Sequence, residues 1–69
     1  MKFNYSKLLG RMKECGFTQE QLAKAIGINK ATLSGKLNNR YSFAQEEILD
    51  ICKLLNIPQC EIGDYFYAV

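Results

Sequence analysis

The chain has 69 residues, with nine basic and seven acidic side chains, a formal net charge of +2 and no histidine. A hydrophobic fraction of 48% beside 23% charged residues argues for a folded globule with a small core, not a disordered segment. No apolar run approaches the roughly 18 residues that a membrane span needs. The opening MKFNYSKLLG lacks the apolar centre of a signal peptide, so a cytoplasmic protein is expected. Three cysteines (Cys15, Cys52 and Cys60) with no CxxC pair give neither a disulfide framework nor a zinc site. They read as reduced thiols, mostly small core residues.

Taken in order, the first helix can be capped by Asn4 or Ser6 and runs to Cys15, with Leu8, Met12 and Cys15 on one face and Gly16 ending it. Thr18 and Gln21 make a capping box for a second helix over Gln19–Ile26, and Phe17 and Leu22 have the spacing of a hydrophobic staple. Gly27 stands where a helix stops in a left-handed turn. Asn29 caps a third helix, Lys30–Leu37, with Ile28 and Leu33 as its staple pair. Two short helices joined by three residues form a helix-turn-helix. Asn38–Phe43 is a loop. The next helix starts nearer Ala44 than at the competing Ser42–Gln45 box, and carries its apolar stripe on Ile48, Ile51, Cys52 and Leu55. Asn56 suits a left-handed end. Pro58 opens a fifth helix with Ile62 and Phe66 inward. No stretch alternates with period two, so the expected fold is all-α, one domain over residues 1–69.

Residues 1–40 hold eight basic side chains against two acids, and residues 41–69 hold one against five. The basic half coincides with the helix-turn-helix, which is the electrostatic footprint of a DNA binder. Lys30, Ala31, Thr32, Ser34, Gly35 and Lys36 are small, hydroxylated or basic, with no acid among them. A helix that enters a DNA groove needs slim side chains and no carboxylate facing phosphate.

The run TQEQLAKAIGI, followed by TLSGKLN, resembles the Cro/C1-type (Xre) helix-turn-helix family, and in it the small phage and prophage repressors. The resemblance covers nearly the whole chain. It implies a five-helix lambda-repressor-like domain that binds a palindromic double-stranded operator as a homodimer, with no cofactor, metal or membrane. Leu33 and Leu37 must face the core, so Lys30, Ala31, Thr32 and Ser34 face out as expected base contacts, with Gly35 letting the helix sit close to the groove floor. Backbone contacts fall to Gln19, Asn29, Lys36, Asn38, Asn39, Arg40 and Tyr41. Family recognition helices often begin with Gln; Lys30 here favours guanine edges or a phosphate. Tyr65, Tyr67 and Val69 cannot all be buried in so small a core, and mark the expected dimer surface. Catalysis is not expected, since no nucleophile–base pair, phosphate loop or metal-spaced acids occur. An antitoxin-type or other small chromosomal Xre autorepressor is the alternative within DNA binding. A helix-turn-helix module that binds protein and not DNA is the rival from another class.

Overall fold

The computed structural model describes residues 2–68. Among these residues all regular structure is helical: α1 Ser6–Glu14, α2 Gln19–Ile26, α3 Lys30–Leu37, α4 Gln45–Leu55 and, after a 3-10 turn at Gln59–Glu61, α5 Ile62–Phe66. This is the all-α, five-helix arrangement expected from the sequence.

Four helices end in the same way. Gly16, Gly27, Asn39 and Asn56 take left-handed backbone angles, with φ of 77°, 81°, 64° and 54°. The N–H of the next residue then reaches back to the carbonyl five positions earlier. Phe17 bonds Met12 O at 2.9 Å, Ile28 bonds Ala23 O at 2.9 Å, Arg40 bonds Gly35 O at 2.8 Å and Ile57 bonds Cys52 O at 2.9 Å. This Schellman closure satisfies carbonyls that a helix end leaves open. Glycine takes φ > 0 without a Cβ penalty, and asparagine is the side chain that tolerates it best. Each helix can therefore reverse within a few residues and return an apolar face to the same centre.

That centre is one cluster to which every helix contributes. Leu8, Leu22, Leu33, Ile51, Leu55 and Phe66 are fully buried. Tyr5, Phe43 and Phe66 extend it as a line of edge-on rings, with centroids 5.4 Å apart at each step. Arg11 ties α1 to the end of α4: its Nε donates to Leu55 O at 2.8 Å and its Nη2 to Asn56 O at 3.2 Å. The guanidinium thus meets carbonyls at the negative end of a helix.

Several local expectations are corrected. Tyr5, not Asn4 or Ser6, takes the cap position of α1, because its ring is drawn into the core; Asn4 still accepts the Ser6 N–H through Oδ1 at 2.9 Å. Pro58 precedes a 3-10 turn and does not open α5 directly. Cys60 is exposed, whereas Cys52 is buried and its thiol is pushed up in pKa by that burial. At α4 the cap is Ala44, which has no oxygen to offer; only the return bond forms, from Ala44 N–H to Glu47 Oε1 at 2.8 Å.

The N-terminal segment is stitched down at two points. Asn39 Oδ1 accepts the Phe3 N–H at 2.8 Å and its Nδ2 donates to Phe3 O at 2.9 Å. Asn4 N–H donates to Ala68 O at 2.6 Å. Asn39→Gly keeps the left-handed turn and removes both side-chain bonds. It should cost about 2 kcal/mol at roughly 1 kcal/mol per bond. Asn39→Ala should cost about 1 kcal/mol more, through its left-handed backbone. Urea unfolding of the two variants checks the order.

Candidate nucleic-acid interface

The α2–α3 pair is built by reciprocal capping. Thr18 Oγ1 accepts the Gln21 N–H at 3.1 Å while Gln21 Oε1 accepts the Thr18 N–H at 3.0 Å. Asn29 Oδ1 accepts the Thr32 N–H at 2.7 Å and starts α3. Leu22 and Leu33 lock the pair from beneath. These contacts fix how the first turn of α3 is offered to solvent.

That first turn carries Lys30 and Ala31, both exposed, with Thr32 and Ser34 half-buried behind them. It holds no acid, whereas α2 has Glu20 in its first turn and α4 has Glu46 and Glu47. The positive end of the α3 dipole therefore has no carboxylate of its own helix to meet. Gln19 is half-buried at the start of α2, and Asn29 is exposed with its side-chain oxygen spent on the cap.

The second half of α3 is built differently. Lys36 is buried, and its Nζ lies 2.8 Å from Glu47 Oε1 and donates to Ser42 O at 3.0 Å. The expectation that Lys36 meets phosphate is corrected: its ammonium is turned inward and pins α3 to the start of α4. Gly35 does not lie open toward a groove either; the Tyr41 ring covers it. Asn38 Nδ2 bonds Ser34 O at 2.8 Å on an exposed helix end, and the Asn39 amide is committed to Phe3. Arg40 and Tyr41 are exposed in the loop that follows. Ala31, Ser34, Gly35, Asn38, Arg40 and Tyr41 line a shallow cleft of about 390 Å³.

Near the C-terminus Tyr65 is buried, with the Lys7 ammonium 4.9 Å from its ring centroid, so it is removed from the expected dimer surface. Tyr67 is 56% exposed and packs edge-on against Phe3 at 5.8 Å. Val69 lies outside the described residues. Among the described residues no group of His, Cys, Asp or Glu could hold a metal, and no helix is long and apolar enough to cross a membrane.

A family model described as protein of unknown function (DUF739) matches residues 1–69. The chain belongs to the DUF739 family. No curated protein matches it. Among solved structures, this DUF739 chain is similar to the solution structure of the modulator of repression (MOR) of the temperate bacteriophage TP901-1 from Lactococcus lactis. The two are 36% identical with a TM-score of 0.81, over 97% of this chain and 90% of that one. A small phage-associated regulatory helical protein is what this likeness supports.

The spacing gives only the inner-face positions of Lys36 and Glu47, and the structure pairs them. Lys36 is three residues beyond Leu33, and Glu47 is four before Ile51, so each falls on the inner face of its helix. Burial pushes the Glu47 carboxyl up, but the Lys36 hydrogen bond, the Ala44 N–H and the Lys36 charge outweigh it and hold the pKa below the ordinary carboxylate range. The folded-state value thus lies under an unfolded value of about 4.3. The stabilisation is complete above that unfolded value and is lost as pH falls through the folded one. Glu47→Gln should cost about 3 kcal/mol at pH 7, because it leaves a buried ammonium without its anion. Thermal melts between pH 6 and pH 3 should fall more steeply for the wild type than for Glu47→Gln.

Proposed function

We propose that this DUF739 chain is a non-catalytic transcriptional regulator of a phage or mobile-element control circuit. In this reading α2 and α3 act as a Cro/C1-type helix-turn-helix, and the first turn of α3 enters the major groove of double-stranded DNA. The observation that carries it is the acid-free start of α3, with Lys30 and Ala31 exposed on it. Arg40 adds an exposed cation in the loop beyond. Lys30 has the reach for guanine O6 and N7, and Ala31 suits a thymine methyl. A half-site is all that one such helix spans, so two copies on a palindromic site complete the reading, with Tyr67 as the exposed aromatic nearest to an interface role.

A second reading is favoured by the inward Lys36 and the covered Gly35. They leave α3 fewer charges and less open backbone for a groove, while Tyr41 and Tyr67 are 60% and 56% exposed. In that reading the same face docks on another protein of the circuit. The similar phage protein is named for modulating repression, a description that suits either target.

The two readings part in one titration. Duplex DNA from a phage control region, titrated at several salt concentrations, should give a steep negative slope of log affinity against log salt. Arg40→Ala should make that slope shallower by about one unit, and Lys30→Ala should cost about 1–3 kcal/mol of sequence-selective affinity. A flat slope would remove the DNA reading and transfer the function to the second one.

A further inference from the structure

Gly35 lies one helical turn from Ala31 on one side and from Asn38 on the other, with Ser34 beside them on the same outer side of α3. That outer side faces away from Leu33 and should be open. Gly35 is nevertheless buried, and one edge of the Tyr41 ring, Cδ2 and Cε2, lies against it. A Cβ built on Gly35 would stand 2.6 Å from Tyr41 Cε2 and 2.7 Å from Cδ2, closer than any side chain tolerates. Only glycine at this position lets the ring seat on the helix. The ring itself is 60% exposed, so the seat hides the helix and presents the tyrosine.

The chain on both sides of Tyr41 is anchored. Arg40 N–H bonds Gly35 O at 2.8 Å, and Lys36 Nζ takes Ser42 O at 3.0 Å. The backbone that carries the ring is therefore held in place over α3. The α3 stripe beneath it is made of side chains too short to reach far from the helix. Tyr41 supplies the bulk that they lack.

We propose that Tyr41, seated on Gly35, is a specificity-determining side chain of the DNA-binding face, and that its ring takes the 5-methyl group of a thymine. This rests on the DNA reading above. Apolar contact with the thymine methyl is the readout open to a ring in the major groove. The neighbouring Arg40 guanidinium suits the adjoining phosphate. Phosphate contact alone would position the protein without selecting sequence; the ring selects.

The test is selection of binding sites from random duplex DNA by the wild type, Tyr41→Phe, Tyr41→Ala and Gly35→Ala. Wild type and Tyr41→Phe should recover one consensus. Tyr41→Ala and Gly35→Ala should both lose preference at the same A·T pair, with discrimination there falling about tenfold. Uracil in place of that thymine should weaken the wild type by a similar factor and leave Tyr41→Ala unmoved. Tyr41→Ala removes an exposed ring and creates no clash, so it decides the matter even if Gly35→Ala folds poorly. A selective wild type whose consensus survives Tyr41→Ala unchanged overturns the proposal and leaves the DNA reading standing. A wild type that enriches no sequence overturns both.

Discussion

The fold depends on how its helices stop. A chain of 69 residues can bury a core only if each helix returns its apolar face to the same place within a few residues. Single left-handed residues at positions 16, 27, 39 and 56 do this, each closed by a bond five residues back. The same device therefore sets the entry of α3, through Gly27, and its exit, through Asn39. The exit matters as much as the entry. Asn39 turns the chain and reaches Phe3, so the loop after α3 and the N-terminal segment are one construction.

Within that frame α3 divides into two halves of opposite character. Its first turn is exposed, basic and free of acids. Its last turn is structural. Taking Lys36 and Glu47 out of water is costly, and their attraction repays it only when other hydrogen bonds satisfy the remaining atoms. Here Ser42 O and the Ala44 N–H supply those bonds. The pair ties the last turn of α3 to the first turn of α4 and holds the loop between them, which carries Arg40 and Tyr41. A cation that looks available for phosphate in the sequence is the rivet of the face.

This division bears on how a small phage regulator can act. The likeness to a modulator of repression, at 36% identity and a TM-score of 0.81, extends over nearly the whole of both chains. The α3 face joins an exposed, acid-free first turn to a second half covered by an aromatic ring. Which target dominates depends on how far the α3 backbone can approach, and Tyr41 stands in that approach.

The sequence by itself determined the helices. Capping residues, staple pairs and left-handed Gly and Asn act over three to five residues, so they are readable without knowing what lies across the core. The start of α4 at Ala44 and the exposure of Lys30 and Ala31 follow from the same local chemistry. Tertiary structure decided which polar groups are spent inside. Asn39 meeting Phe3, Arg11 meeting Leu55, and Tyr41 covering Gly35 join residues that local rules treat separately. The burial of Tyr5 and Tyr65 likewise depends on which segments converge at that end of the core. Periodicity states which face a residue lies on. Whether a charge there is free or paired depends on the element packed against it, and that is settled only when the helices meet.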